Sequence, residues 1–434
     1  MKAYAFQVPK LLEPRRIEPG LWEGPVPGVS PVAKLEGCVS ILQITGASLK
    51  HMRSELSEME AFLKTSLENR TNVPGSLTNS YLVERLRQIK ALSESASFQG
   101  RALLNGKSGV LANMTGEGLR FVRGSALVQS SNAGGYPVAI ERAAKPASLV
   151  GPELVNTQTL SAESMLVIAQ GQQEVRYRLS QTEDPKSLVA GLQRALWQAG
   201  LELSACLSVD GRLVLMHNRL GSGGNFKGMS LNTRILSNEP GEFSQADPGE
   251  DIKGRIGMEK ALGDGGFLIG VPDSKRVAGL VLHYGGKIEH PGQIVGYADV
   301  AQKGILVPLD ANDERKERLS IPAVNPKTLS VGVANQSGFT ALEEIKGSSE
   351  IERMDSLKLV KNAQQELVDL SEELKWKENT YVDLAIKLLR QGIAPQEAGE
   401  ELLELRADKA TKMAQDLKNM LGSDFHNIGQ DRLA

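Results

Sequence analysis

The sequence predicts an α+β protein: an elongated, discontinuous α-helical bundle made by the two ends of the chain, with β-rich outer domains inserted between them. Three observations lead there. Apolar residues recur every seven positions near both ends. Between about residues 110 and 335 the pattern changes to period-two alternation broken by Gly and turn residues. Neither set of helices has a second complete apolar core beside it in sequence, so the economical way to bury both is against each other.

Taken in order, residues 1–35 carry Pro9, Pro14, Pro19, Pro25, Pro27 and Pro31, which forbid a continuous helix, so an extended or disordered arm is expected there. A helix is predicted to start near Leu35. Leu42, Leu49, Leu56 and Leu63 occupy one seam position, and Thr45, Met52, Met59 and Ser66 the other. Pro74 and Gly75 break it. A second helix is predicted from about Thr78, with Leu82, Leu86 and Ile89 on its apolar stripe. It runs into "SFQGRALLNG" (97–106), where glycines permit a tight turn and Phe98, Leu103 and Leu104 can fold the crossing back onto the helices.

The β region begins near 110. Asp210-Gly211, between alternating runs, predicts a type I′ hairpin, and Gly285-Gly286 is read in a similar role. One helix interrupts the strands. Asp184 suits its N-cap, Pro185 its first position and Gly200 its C′ position, with Leu188, Leu192, Ala195 and Ala199 buried. Strands on both sides make a ββαββ module. Helix returns near 340: Val360, Leu367, Leu374, Tyr381 and Leu388 recur every seven residues, and Ala363, Leu370 and Leu384 fill the second seam, with Lys377 interrupting it. A further helix is expected with Pro395 near its start and Gly422 at its stop. The expected division is therefore a Pro-rich arm (1–35), a helical bundle (36–110 plus 338–422), a β-rich insertion (111–235), a second β-rich outer domain (236–337) and a polar tail (423–434).

Composition narrows the function. The 434 residues suggest about three domains. Aromatics are only 4 %, so the cores are built from Leu, Val, Ile and Ala. A formal net charge of −2 gives no basic field for nucleic acid, and the mixed run "NDERKER" (312–318) reads as a solvated loop. Cys38 and Cys206 are too far apart in sequence, and too few, to suggest a disulfide framework or a zinc site. There is no apolar stretch of membrane-spanning length and no signal-peptide h-region, so export would need a route without a cleavable signal.

Chemistry is not announced either. His283 and His290 with Glu289 are the nearest approach to a metal set, but no metal-ligand spacing occurs. "GSGGNFKG" (221–228) lacks the P-loop spacing and the following Ser or Thr. "GDGGF" (263–267) reads as a turn, and no G-x-S-x-G is present. No catalytic, cofactor or metal residue is expected, and an enzyme would require a deep polar pocket in the outer domains.

Two stretches do carry a signature. "VSILQITGASLKHMRSELSEMEAFLKTSLENRTN" (39–72), followed by "LVERLRQIKALSESASFQGRALLNG" (82–106), resembles the conserved-region pattern of bacterial flagellins. Phe98, Gly100, Leu103, Leu104 and Gly106 match that pattern, while Gln99 stands where the family usually has Asn. The segments around 118–144, 160–226, 251–298 and 339–381 resemble the β modules and returning helix of flagellins and filament-cap proteins, so the likeness spans roughly two-thirds to three-quarters of the chain. It implies a structural protein of the extracellular flagellar filament, exported by the flagellar apparatus, with flagellin, cap proteins or an export chaperone as partners. The departures are at the ends. Six prolines replace the family's first amphipathic helix, and "LELRADKATKMAQDLKNMLG" differs from its Gln/Ala-rich last one. Those helices form the filament's inner core, so ordinary polymerisation is not expected. The alternative is a non-polymerising module that binds flagellin, its chaperone or a cap protein, with the cytoplasm as the alternative location.

Overall fold

The computed structural model describes residues 30–68, 74–156, 160, 164–179 and 184–390; the arm expected before residue 30, the helix expected after Pro395 and the polar tail lie outside them. Helix α1 (Pro31–Glu68) starts four residues before Leu35, on a proline counted above with the arm. The first turn accepts proline because its N–H would have no intrahelical partner, and the Ser30 hydroxyl caps the helix by accepting from Ala33 N at 3.2 Å. Helix α2 (Gly75–Ser95) follows Pro74. Its first residue has room for nothing larger than glycine, since a Cβ there would lie 2.7 Å from the Ser348 Cα.

Helix α3 (Pro185–Gln198) is capped as its sequence predicts: Asp184 accepts from Lys186 N at 2.8 Å and Ser187 N at 3.0 Å. Its stop is a Schellman-type turn through Gly200, with Leu201 N bonding Leu196 O. Leu188, Leu192 and Leu196 form its buried face; Leu196 takes the place expected for the two alanines. Helix α4 (Glu350–Leu388) begins some ten residues later than the pattern suggested, after a 3₁₀ turn at Leu342–Glu344. A capping box between Ser349 and Glu352 fixes its start.

Three apolar cores organise the chain. The first joins α1, α2 and α4. Gln43 bonds Glu378 and Ser57 bonds Gln364, so α1 and α4 run antiparallel. Ile305, Val307, Leu319, Ile321, Val324, Leu329 and Phe339 complete this core. Residues 305–337 thus belong with the helices rather than with a second outer domain. The reason is the hairpin Ile305–Pro308 with Lys316–Leu319, which lays its apolar side on α1. Part of the "NDERKER" run is therefore strand, and its Asp313 pairs with Lys34 at 2.6 Å.

The second core lies within an eight-stranded antiparallel sheet. Its order is Val110–Thr115, Gln293–Gln302, Tyr136–Arg142, Lys253–Ile256, Glu259–Asp264, Phe267–Gly270, Leu280–Tyr284 and Leu119–Gly124. The two outermost strands are consecutive in sequence, and a Cβ on Gly124 would lie 2.7 Å from the Val110 Cβ, so the sheet curls until its edges meet. Strands from before and after residue 235 alternate here, so the boundary expected there does not divide the β region. Gly285-Gly286 joins no hairpin, because Leu280–Tyr284 and Gln293–Gln302 pair with other strands.

The third core belongs to a module inserted between Tyr136–Arg142 and Lys253–Ile256. One sheet has the order Pro146–Leu154, Arg212–Leu220, Leu203–Leu207; the other Ser244–Gln245, Lys227–Ser230, Met165–Gln170, Gln173–Arg178; α3 shares their core. The Asp210-Gly211 turn is a three-residue loop rather than type I′: Ser208 N bonds Arg212 O, Gly211 N bonds Ser208 O, and Gly211 alone takes positive φ.

Candidate functional site

The candidate site is made of the residues expected at the seam of the helices and the turn that hands the chain from α2 to the β strands. The heptad leucines and methionines bury their side chains because each recurs on the same helix face, where the next helix displaces water. Leu49, Met52, Leu56, Met59 and Leu63 of α1 are fully buried, and Leu42 is 2 % exposed. Leu82 and Ile89 of α2 are fully buried, with Leu86 at the margin. Val360 and Leu367 of α4 are fully buried, Leu374 and Leu388 nearly so, and Leu370 and Leu384 are half-buried against the same core. All fifteen seam residues meet in one cluster. Two polar seam positions are satisfied locally: the Thr45 hydroxyl donates to Ile41 O at 2.7 Å and that of Ser66 to Leu63 O at 2.8 Å.

The turn forms a two-residue hairpin in which Ser97–Phe98 pairs with Arg101–Ala102. Gln99 (φ 49°) and Gly100 (φ 79°) are both left-handed, as a type I′ turn demands. Leu103 and Leu104 are fully buried in the helical core, and Phe98 packs against it. Gly106 (φ 90°) has no room for a side chain, since a Cβ would fall 2.4 Å from Leu111 Cδ2. The turn is bolted to its surroundings through its backbone. Leu103 N bonds Ala96 O at 2.9 Å, Ser93 donates to Leu104 O at 3.2 Å, and Val324 N bonds Leu104 O at 2.8 Å. Arg101 donates to Ser108 Oγ at 3.0 Å and to the carbonyls of Lys107 and Lys303; its burial lowers the guanidinium pKa.

The seven-residue spacing placed Tyr381 on the seam, but sequence reasoning missed the groups gathered around it and beside it, Cys38, Glu317 and Arg85. Cys38 is buried on α1, and its thiol is pushed up to about 12 by burial and the nearby Glu317 carboxylate. Tyr381, fully buried on α4, is raised by burial and by the same carboxylate. Both sit on heptad faces, but Glu317 comes from the return hairpin, which no periodicity announces. Arg85 bridges α2 to α1, reaching Glu55 at 2.8 Å and Glu58 at 2.7 Å while lying over the Tyr81 ring.

The histidine reading is answered by packing. His283 lies close against Gly332 and its ring is tilted on Phe267, and burial together with Arg120 pushes its pKa down to about 4. Among the described residues no group of three or more His, Cys, Asp or Glu is placed to hold a metal ion. A cleft of about 430 Å³ in the inserted module is lined by Glu239, Glu242, Phe243 and Asp247 among others, with no histidine, cysteine or lysine. No helix among the described residues is long and apolar enough to cross a membrane.

No family model and no curated protein matches the chain. Solved structures with some likeness are flagellar proteins. The D2–D3 domains of the Escherichia coli flagellar cap protein FliD show 15 % identity and a TM-score of 0.30, covering 45 % of this chain and 99 % of that one. The FliC flagellin of Burkholderia pseudomallei shows 13 % identity and a TM-score of 0.28, covering 79 % and 99 %. FlgL of Xanthomonas campestris shows 8 % identity and a TM-score of 0.24, covering 86 % and 96 %. At these identities and scores, nothing about function passes from those proteins to this chain.

Proposed function

We propose that the chain is a flagellin-like structural protein that acts at the extracellular bacterial flagellum, as a filament component or a filament-associated protein. The observation that carries this reading is the turn at 97–106. A generic hydrophobic turn explains its residue types, but the flagellin pattern also explains their order: Phe98, then left-handed Gly100, then the buried pair Leu103 and Leu104, then a glycine at 106. The helices on which it closes supply the second half of the same pattern. Immunogold microscopy of source cells tests the reading: label along flagellar filaments is expected, and label confined to the cytoplasm overturns it.

One observation favours the alternative, association without polymerisation. Leu42, Leu49, Leu56 and Leu63 are buried among the chain's own helices, so these four residues present no face to a neighbouring subunit. Binding to flagellin, its export chaperone or a cap protein would then use other surfaces. The two readings separate by sedimentation of purified protein under flagellin-polymerising conditions. A monomer supports association, and filaments support a self-assembling subunit.

A further inference from the structure

The inserted module does not project freely. It is tied to the rest of the molecule at two separate places of different kinds. The first is its neck, where the chain enters and leaves side by side. Lys145 N bonds Glu250 O at 2.8 Å and Glu250 N bonds Lys145 O at 2.9 Å, with a second bridge between Ser148 and Asp247. Asp251 anchors the neck, accepting from Ser222 N at 3.0 Å, Ser222 Oγ at 2.6 Å and Gly265 N at 2.9 Å.

The second tie joins α3 to the start of α4. The Arg194 guanidinium grips Glu350, the first residue of α4, through two parallel bonds: Nε to Oε1 at 2.8 Å and Nη2 to Oε2 at 2.6 Å. At the neighbouring residue of α3, Gln193 Oε1 accepts from Gln336 Nε2 at 2.6 Å. Gln336 is held in place by Asp355, which accepts from Gln336 N at 3.1 Å and Ser337 N at 2.8 Å. Trp197, on the same helix, is half-buried against the helical core.

The contrast between these ties carries the inference. The module has a complete apolar core of its own, so it does not need α4 to stay folded. Its polar contact with α4 is made by side-chain tips, and both members of the charge pair are substantially solvated, with Arg194 52 % and Glu350 41 % exposed. Such a pair orients well through its fork geometry but is weakened by salt. The neck, by contrast, is a pair of backbone bridges braced by the Asp251 carboxylate and the Arg219–Asp264 pair. We propose that the module is a hinged outer domain, held against the start of α4 by the Arg194–Glu350 clasp and free to swing about its two-strand neck when the clasp is released. Release uncovers Trp197 and the flank of the helical core beside it.

Distance measurement between spin labels tests this in the full chain. Labels at Val209→Cys, on the module's hairpin tip, and Gln365→Cys, on the exposed side of α4, are introduced with Cys206→Ser; Cys38 is buried and stays unlabelled. Arg194→Glu places two like charges in contact, so the ratio of closed to open molecules should fall at least about tenfold. A longer distance population should appear. The swap Arg194→Glu with Glu350→Arg should restore the short distance. A single short distance in Arg194→Glu overturns the proposal, as does a charge swap that stays open. If labelling perturbs folding, Trp197 serves instead in a Trp22→Phe, Trp376→Phe chain, which leaves it as the one tryptophan of three. Its emission should shift to the red in Arg194→Glu, and an unchanged spectrum overturns the hinge.

Discussion

Gln99 is the residue at which this chain departs from the flagellin pattern, and it pays a conformational penalty there. It is held at φ 49° in the first position of a turn whose geometry suits Asn. Gln99→Asn is expected to raise stability by about 0.5–1 kcal/mol, read as a higher urea midpoint; an unchanged or lower midpoint contradicts the assignment of strain. Glu366 is a second informative position. It accepts from Ser330 N at 3.0 Å, and its burial pushes its pKa up to about 7, against the opposing pull of that hydrogen bond and of Arg123. Because the folded pKa lies above the unfolded value of 4.5, the native state binds the proton more tightly. Stability from this group is full below pH 4.5 and is lost as pH rises toward 7. Glu366→Gln keeps the acceptor without the charge. It should stabilise the protein at pH 8 by at most roughly 3 kcal/mol and change little at pH 4, a difference thermal melts at the two pH values will resolve.

At the scale of elements, the seam and the exposed helix faces make opposite predictions. Leu56→Ala empties a fully buried position and is expected to cost about 2–5 kcal/mol, whereas Val83→Ser on the exposed side of α2 should stay within about 0.5 kcal/mol. Equal effects in urea titrations would mean that the shared core does not hold the helices. The same distinction marks what the sequence made legible. Heptad periodicity is local, so Leu42 through Leu63 and Val360 through Leu388 could be read as buried faces before any partner was known. Caps are local too, and Asp184 stood where its chemistry placed it. The residues 305–337 were not legible as part of the helical core, because Ile305, Val307, Ile321 and Val324 follow no single period and gain their meaning only from lying on α1. Strand partners were hidden for a related reason. Tyr297 pairs with Thr115 across most of the β region, and alternation names a strand without naming its neighbour. The loop at Asp210 turned on one backbone angle, which Asp-Gly alone does not decide.

For the whole molecule, the nesting of one unit inside another differs from the linear series of outer domains that the sequence suggested. The chain builds the first strands of the eight-stranded sheet, leaves to make the inserted module, and returns to finish the sheet before closing the helical core. Where it leaves and returns, Lys145 and Glu250 are bridge partners, so the two ends of the insertion emerge roughly 5 Å apart, as antiparallel neighbours do. A foreign domain with adjacent termini, exchanged for residues 147–248, should therefore leave the remaining sheet and helices folded, seen as a retained cooperative unfolding transition and helical circular dichroism. Loss of both would mean that the module is needed to form its host. The neck is in this sense a socket: the fold separates the part that holds the molecule together from the part it presents, and makes the second replaceable cargo.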